Sequence, residues 1–496
     1  MRGDAYRAFC NKVKEFQPDA LLRAVAKTSA VRIMDRSRFH RVFSQYFRHG
    51  EFALPDFILA EIVKATLCIE DKPYYKRAKI PTDRNLSYLH HLYLEVDAET
   101  KFEEREDIDT FFLRSSALQF PSQGGLWQLI PRTLLLHSTT TAVTGRNFDV
   151  SRRFEEALGI PLASYTFLGA SLFALAIAAN DGVLHLDQLH LFDLPEHDSR
   201  VVEKFLTLVS TDQEGFLRLC LERCDPQPGL EVYDYNPLIA RPVVRLSTGQ
   251  YSLPVPRLLI ERVTSGVYYD LASSFGNEFL TYLGHAYQRY IGRLLSGIPN
   301  LTVLSEEEYG PRKSRRLSPD WILTSGSRAV LLECKTKKLR LGSRLPQFRE
   351  QFQEDVQAGI ATAVRQLRRS VDDIRRRQVF PSLGEADLLP LVVTLDHAYM
   401  LNGNMIRRIV DGELKAEGLE SLDYQVASTE EIESLAGARD GRLLLDVLWA
   451  KARATDSREF DLATAIQKTD GFENHPLLRS TYLAFLDKVR LTPETK

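Results

Sequence analysis

The stretch RRLSPDWILTSGSRAVLLECKTKK, residues 315–338, contains two apolar runs separated by a turn sequence. The first run begins after Asp320 at Trp321, and the turn Thr324–Ser327 leads into the second run, Arg328–Lys335. Apolar segments that flank a short glycine-containing turn are typical of two antiparallel strands. The stretch therefore predicts a β-hairpin with charged residues at one end of both strands.

Side chains of the second strand are expected to form two sets, because successive residues of a strand point to opposite faces of the sheet. The apolar, core-facing set comprises Val330, Leu332 and Cys334. The other set comprises Ala329, Leu331, Glu333 and Lys335. An unpaired acid and base would be costly to bury. We therefore expect Glu333 and Lys335 side by side at the exposed end of this strand.

Asp320 is expected opposite Glu333 and Lys335, since a tight hairpin brings the ends of its strands together. Two carboxylates on adjacent strand ends make a hard oxygen site suited to Mg²⁺ or Mn²⁺. A lysine beside them can orient and help to deprotonate a water at the metal. The pattern thus predicts a divalent-metal site.

The sequence around the hairpin predicts an α/β domain over residues 246–436. GNEFLTYLGHAYQRYIGRLLSGI (276–298) has the apolar spacing of a helix, and LTVLSEEEYG (301–310) and LLPLVVTLDHAYML (388–401) contain strands. A helix is predicted over Gln351–Arg377, and YQVASTEEIESLA (424–436) adds a strand and a helix. This order is typical of a mixed central sheet flanked by helices.

The remaining segments are predicted to be mostly helical. At 496 residues the chain suits two or three domains. Residues 1–245 are expected to form a large, mostly α-helical N-terminal domain that serves target recognition, regulation or self-association. Residues 437–496 are expected to form a helical extension packed on the α/β domain.

Composition excludes several classes of protein. With 44% hydrophobic and 26% charged residues, the chain is typical of a globular protein. Its five unevenly spaced cysteines favour free thiols in a reducing cytoplasm, and the two in CLERC (220–224) are expected to be buried. The apolar run Phe167–Ala179 is shorter than the roughly 20 residues that cross a bilayer. We therefore expect a buried helix there and no membrane partner.

Ser318-Pro319-Asp320, followed across a hairpin by Glu333-Cys334-Lys335, resembles the Pro-Asp…Glu-x-Lys signature of the PD-(D/E)xK, restriction-endonuclease-like, nuclease superfamily. The resemblance covers about residues 250–436 and follows the order of helices and strands. It implies an α/β nuclease domain of that fold.

The resemblance also implies roles for individual residues. Asp320 and Glu333 would bind the metal ion, with the backbone carbonyl of Cys334 as a further ligand. Lys335 would lie beside the attacking water. Gln366, on the later helix, would lie near the active site, where some branches of the superfamily have a glutamine.

Gln288 departs from the pattern of the superfamily. Many relatives have a glutamate on the helix before the first core strand, and here GHAYQRYI (284–291) has Gln288 at that position. A neutral amide adds no charge for a second cation, so we expect one metal ion per site. If a second ion is held, the available acids are Glu278 and those of the run Glu306–Glu308.

Basic residues are concentrated around the predicted site, although the whole chain has a net charge of −2. Between Pro311 and Arg349 there are eleven lysines and arginines and only two acids, Asp320 and Glu333. Such a local excess favours contact with a phosphate backbone. The residues expected to bind nucleic acid are Arg315, Arg316, Lys337, Lys338 and Arg340. The run RQLRRSVDDIRRR (365–377) fits an ordinary exposed helix face equally well.

Together these features predict a cytoplasmic, divalent-metal-dependent nuclease. DNA is the expected substrate, and an RNA-directed nuclease is the weaker option, since the sequence has no stacking platform of the kind that readers of single-stranded RNA use. By analogy at the level of the fold, we expect a role in bacterial restriction or antiphage defence, alone, as a homo-oligomer or with a defence-system partner protein. The alternative is a catalytically silent protein that keeps the nuclease fold as a nucleic-acid or partner-binding scaffold.

Overall fold

Helices form most of the described part of the protein. The computed structural model describes residues 4–34, 54–68, 79–101, 125–137, 141–143, 146–192, 198–224, 231–338, 349–396 and 401–489. In chain order the helices are α1 (Asp4–Val13), α2 (Pro18–Met34), α3 (Asp56–Leu67), α4 (Asp83–Lys101), α5 (Leu129–His137), α6 (Val150–Leu158), α7 (Leu162–Ala178), α8 (Ser199–Val209), α9 (Gln213–Arg223), α10 (Pro256–Val263), α11 (Val267–Leu295), α12 (Arg349–Val356), α13 (Thr362–Arg375), α14 (Asn404–Ala416), α15 (Thr429–Leu435), α16 (Gly441–Arg453), α17 (Leu462–Gln467) and α18 (Pro476–Lys488). A π-helical turn, Gln357–Ala361, joins α12 to α13.

The strands are shorter than most of the helices and belong to four sheets. They are β1 (Thr141–Val143), β2 (Arg146–Phe148), β3 (Ser210–Thr211), β4 (Val243–Arg245), β5 (Tyr251–Ser252), β6 (Thr302–Ser305), β7 (Glu308–Tyr309), β8 (Arg316–Leu317), β9 (Trp321–Ser325), β10 (Arg328–Lys335), β11 (Asp387–Thr394) and β12 (Gln425–Ser428). The protein is therefore mixed α/β with a helical N-terminal region, as the sequence predicts.

The largest sheet has the strand order β12-β11-β10-β9-β6. Strands β6, β9 and β10 are antiparallel, whereas β10, β11 and β12 are parallel. Arg328 pairs with Ser325, so Gly326 and Ser327 alone form the turn, and Gly326 has a φ of 65° that glycine adopts without steric cost. The predicted hairpin is confirmed, with Thr324 and Ser325 belonging to β9 rather than to the turn.

The first predicted strand is divided in the structure. β6 ends at Ser305, and β7 pairs with β8 in a separate two-stranded ribbon. The helix predicted over Gln351–Arg377 is confirmed as α12, the π-helical turn and α13. The strand predicted at 388–401 ends at Thr394 as β11, and residues 397–400 lie outside the described part of the chain.

The central strand β10 is covered on both faces. Val330 and Leu332 pack with α11 and α16 residues such as Leu294 and Leu444. Ala329 and Leu331 pack with α13 and α14 residues in a second cluster, which is why both sets of side chains are buried. The predicted alternation is confirmed, but the expectation of an exposed strand end is wrong for Glu333, which is 7% exposed.

Apolar packing continues across the predicted domain boundary near residue 245. One cluster runs from Leu135 in α5 to Leu478 in α18 and includes the α11 face of the sheet. A further cluster, separate from both clusters at β10, unites α1–α4 with residues as far along the chain as Val255. The domain boundary itself stays a prediction. Helices α16–α18 contribute to the cluster that covers the α11 face of the sheet, so they pack against the sheet domain.

A buried ion pair also connects the two regions. Arg132 in α5 donates from Nε and Nη2 to the two carboxylate oxygens of Glu433 in α15, both at 2.6 Å. The Tyr290 hydroxyl donates to the same carboxylate at 2.5 Å. Because the Glu433 side chain is fully buried, these three donors replace the water that its charge would otherwise bind.

The apolar run at 167–179 is confirmed as part of the mostly buried helix α7. Within the described ranges, no single helix is long and apolar enough to cross a membrane. Only α6 and α7 taken together pass that test of length and composition, and they are bent by 71° relative to each other.

Helix α11 lies close to β9 because Gly292 has no side chain. A Cβ atom there would lie 2.1 Å from the Trp321 ring. The indole Nε1 donates to the carbonyl of Gln288, one turn earlier, at 2.9 Å. Trp321 directly follows Asp320, so this contact fixes the position of the candidate site relative to α11.

We predict that Gly292→Ala lowers the free energy of unfolding by about 1–3 kcal/mol, because the methyl group overpacks the Trp321 ring. Gly284→Ala is the matched control, since a Cβ there meets open space in the same helix. It should stabilise the protein by about 0.5–1 kcal/mol through helix propensity. Urea unfolding monitored by circular dichroism measures both, and equal effects would contradict the close packing at Gly292.

Candidate functional site

Asp320 lies where the pairing of β9 with β10 ends. The last pair joins Trp321 to Leu332, so the next inward-facing N–H of β10, that of Cys334, has no backbone partner on β9. The Asp320 side chain supplies the acceptor, with Oδ2 at 2.7 Å from the Cys334 nitrogen. This contact holds the Asp320 carboxylate beside the end of β10, as the hairpin predicts.

Glu333 and Lys335 lie side by side on the face of β10 that also carries Leu331. Lys335 Nζ donates to Glu333 Oε1 at 2.9 Å and to Gln366 Oε1 at 2.7 Å. Gln366 comes from α13, which packs across this face of the sheet. The structure therefore brings Asp320, Glu333, Lys335 and Gln366 together.

Glu306 is a further acid at this site, and sequence reasoning named it only as a fallback. Ser305, the last residue of β6, pairs with Trp321. Glu306 follows it and lies beside Asp320, and the Glu306 N–H donates to the Asp320 carbonyl at 3.1 Å. The Gln288 side chain hydrogen-bonds to the Glu306 carboxylate. The sequence signal was a run of three glutamates directly after a predicted strand.

Glu278, the other acid considered as a substitute ligand, lies elsewhere on α11. It is exposed, and its Oε1 is 3.4 Å from Nη2 of Arg153 in α6. Gln288 thus reaches the site through Glu306, whereas Glu278 is part of a surface ion pair.

The carboxyl groups of the site have raised pKa values because they are buried together. Burial raises the pKa of Asp320 to about 6, and the Cys334 N–H and the Lys335 charge only partly oppose it. Burial and then the Asp320 charge raise the pKa of Glu333 to about 7. Burial and then the Glu333 charge raise the pKa of Glu306. Three acids thus share one neighbouring lysine, an excess of negative charge that a bound cation would relieve.

The donor set fits a Mg²⁺ ion bound mainly by water. Within the residues described, no group of three or more His, Cys, Asp or Glu side chains has the arrangement of a metal site. Mg²⁺ usually keeps several waters and needs only one or two carboxylates, which Asp320 and Glu333 supply. The Cys334 N–H points to Asp320, and the carbonyl of a strand residue points to the same side as its N–H.

Two of the residues predicted to contact phosphate, Arg315 and Arg316, lie at the start of β8 in the β7–β8 ribbon. Arg315 donates to Glu308 at 2.7 Å, and both side chains are about half exposed. Such a surface pair contributes little, so a phosphate can compete for Arg315. Arg316 donates to both carboxylate oxygens of buried Asp373, at 3.2 and 2.9 Å, and anchors the ribbon to α13.

The other three predicted phosphate contacts follow β10. Lys337 is half exposed, with Nζ 3.7 Å from Asp355 Oδ1. The Lys338 side chain is only 8% exposed, and its Nζ is 2.9 Å from Asp396 Oδ1. Burial lowers the pKa of Lys338, but Asp396 and the neighbouring Tyr268 and Tyr269 together raise it above its usual value, so this lysine is a buried structural cation unsuited to a phosphate contact. Arg340 lies outside the described residues.

We predict that the metal-free protein loses stability as the pH rises from about 4 to about 7. Because the pKa values of Asp320 and Glu333 are raised, the folded protein binds more protons than the unfolded chain in this range. The stabilisation is complete below the ordinary values, 3.8 and 4.5, and is lost above about 7. The rise in the pKa of Glu333 alone corresponds to about 3 kcal/mol in the free energy of unfolding.

The measurement is urea unfolding in the presence of a chelator at pH 5 and pH 8. Glu333→Gln should remove much of the difference between the two pH values, because it removes one titrating group and the charge that acts on Asp320. Glu307→Gln, an exposed neighbour of the site, is the control and should behave like the unmodified protein. An unaltered pH dependence in Glu333→Gln would contradict the shared burial of the two carboxyl groups.

Comparison with protein-family models, with curated proteins and with solved structures gave no match to this chain.

Proposed function

We propose that this protein is a divalent-metal-dependent phosphodiesterase that hydrolyses nucleic acid, with DNA as its substrate. The observation that carries the proposal is the contact set at the end of the β9–β10 hairpin. Two adjacent carboxylates, Asp320 and Glu333, lie beside a lysine whose Nζ is held at 2.9 Å from one of them and 2.7 Å from Gln366. Acid pairs with a neighbouring lysine in a partly buried site are suited to hydrolysis at phosphorus.

Each residue has a distinct role in this proposal. Asp320 and Glu333 would hold the cation, and the Cys334 carbonyl would add a neutral ligand. Bound Mg²⁺ or Mn²⁺ would offset the charge that develops on the non-bridging and leaving oxygens of the phosphodiester. Lys335 donates hydrogen bonds to the attacking water, and Gln366 Oε1 orients its ammonium group.

Glu306 and Gln288 form the outer part of the site. The Gln288 amide holds the Glu306 carboxylate, whose backbone N–H contacts Asp320. In the proposed enzyme Glu306 accepts a hydrogen bond from a water in the site, and its partner amide keeps it turned toward that water. One tightly held cation per chain is the expected stoichiometry.

Substrate binding in this proposal uses the exposed cations beside the site. Arg315 and Lys337 have weak or distant partners and remain available for phosphate oxygens. Target recognition, regulation or self-association would fall to the helices before residue 245. A role in bacterial restriction or antiphage defence remains an analogy at the level of a restriction-endonuclease-like fold.

The second candidate is a catalytically silent protein that uses the same fold to bind nucleic acid or a protein partner. Three observations favour it. Gln288 replaces an acid common in that superfamily, and within the described part of the chain no group of three His, Cys, Asp or Glu side chains is arranged to hold a metal ion. Arg316 and Lys338 are also committed to Asp373 and Asp396.

We predict that Asp320→Asn, Glu333→Gln and Lys335→Met each reduce cleavage at least about 100-fold, the usual contribution of a general acid–base or electrostatic group. The substrates are supercoiled plasmid and a transcribed RNA, each with Mg²⁺, Mn²⁺ or chelator. Calorimetric titration with Mn²⁺ should give one site per chain. Affinity should fall in the first two variants and persist in Lys335→Met.

Glu307→Gln and Lys338→Met serve as controls. The first removes an exposed acid next to Glu306, and the second removes a buried cation that we assign to structure. Cleavage by folded Asp320→Asn at the rate of the unmodified protein would refute the site. Unmodified protein that binds plasmid with or without metal, and cleaves neither substrate, would establish the scaffold in place of the enzyme.

A further inference from the structure

Three cysteines from distant parts of the sequence meet in the helical N-terminal region. Cys68 directly follows α3, Cys220 lies in α9, and Cys224 directly follows α9. Cys68 Sγ is 3.0 Å from Cys220 Sγ, although the two residues are 152 positions apart. The sequence predicted only that Cys220 and Cys224 are buried thiols, since Cys68 is brought to them by tertiary packing.

The distance between Cys68 and Cys220 is close to that of a bond. A disulfide has an S–S length of about 2.05 Å, so the two sulfur atoms need to approach by only about 1 Å. Helices α3 and α9 belong to one apolar cluster, in which Cys220 is buried and Cys68 and Cys224 are packed at its edge. The packing that orders this region therefore also holds the two thiols together.

Cys224 is the third thiol of the group and is held in a different way. Its Sγ donates to the carbonyl of Tyr235 at 3.1 Å. The neighbouring Cys224 lowers the pKa of Cys220, but the adjacent Cys68 and burial raise that pKa to about 12. Cys220 is therefore a protonated thiol at neutral pH, and the more accessible Cys68 is the sulfur that meets a reagent first.

The surroundings favour a covalent bond between thiols over a bound metal. The ammonium of buried Lys64 lies near Cys68 and Cys224, and its Nζ donates to the Glu231 carbonyl at 3.3 Å. Its positive charge opposes a metal cation at the same place, and the described side chains include no three-ligand metal cluster.

We propose that Cys68 and Cys220 form a reversible disulfide, a covalent modification site that joins α3 to α9. The oxidant is a low-molecular-weight disulfide, R–S–S–R. Cys224, whose Sγ donates to the Tyr235 carbonyl, does not enter the bond. The oxidised protein has a closed loop of more than one hundred and fifty residues, which restricts the unfolded chain and raises resistance to unfolding.

The reaction takes place in two exchange steps. The Cys68 thiolate attacks one sulfur of R–S–S–R, the S–S bond breaks, and the departing R–S⁻ takes up the proton that Cys68 lost. Cys220 then gives up its proton as its sulfur attacks Cys68 Sγ, and the second R–S⁻ leaves and takes up that proton. The protein loses two electrons and two protons, and R–S–S–R becomes two R–SH molecules.

The test uses the full chain, reduced, freed of reductant and equilibrated with mixtures of reduced and oxidised glutathione. Acid quenching, alkylation with N-ethylmaleimide and tryptic digestion follow. Trypsin cuts after Arg218 and Arg223, so Cys220 and Cys224 fall in separate peptides. We expect two of the five thiols to become protected from alkylation, with the peptide of Cys68 linked to residues 219–223. Dithiothreitol should reverse the linkage.

Variants test the assignment of each sulfur. Cys68→Ser should abolish the linkage, whereas Cys224→Ser and the control Cys10→Ser should retain it. The midpoint of urea unfolding should rise on oxidation of the unmodified protein and of Cys10→Ser, and stay constant in Cys68→Ser.

Three results would overturn the proposal. The first is the retention of five free thiols in oxidised glutathione. The second is a linkage between the Cys220 and Cys224 peptides instead of one to Cys68. The third is stoichiometric Zn²⁺ in the purified protein that is released when the three cysteines are alkylated, since they would then be metal ligands. The linked peptides are detected in the unmodified chain, so a variant that fails to fold leaves the test intact.

Discussion

The hydrogen bond from the Cys334 N–H to Asp320 Oδ2, at 2.7 Å, links the backbone of the central sheet to its candidate chemistry. The pairing of β9 with β10 stops at Trp321, and without this acceptor the N–H of Cys334 would lack a partner in a largely buried place. The same contact keeps the Asp320 carboxylate next to Glu333. One interaction therefore completes the strand pairing and creates the pair of acids.

The position of β10 makes that pair electrostatically demanding. Helices cover both faces of the strand, so Glu333 is buried on an apolar sheet beside a second carboxylate, and Lys335 donates a hydrogen bond to it. The raised pKa values of Asp320 and Glu333 express this excess of negative charge. A bound divalent cation would relieve it, and so would protonation. The competition between these two outcomes connects the stability of the metal-free protein to the proposed activity.

The helical half of the chain is attached to the sheet by packing and by a buried charge. Helix α11 presents Gly292 to Trp321 and fixes the edge of the site, while Arg132 and Tyr290 hold the Glu433 carboxylate on α15. A rearrangement of α5 would thus act on α15 and, through α11, on Trp321 at the start of β9, next to Asp320. The cysteine group belongs to the apolar cluster that unites α1–α4, whereas β10 packs in two other clusters.

The sequence by itself determined the hairpin, the two faces of β10 and the meeting of Asp320 with Glu333 and Lys335, because these depend on residues 315–338 and on the two-residue alternation of a strand. Only the tertiary structure decided that Glu333 is buried, that Glu306 joins the acids and that Lys338 is a structural cation paired with Asp396. It also brought Cys68 to Cys220 across 152 residues. The physical reason is that burial and ion pairing arise between elements distant in the chain, whereas side-chain alternation and turn geometry are local.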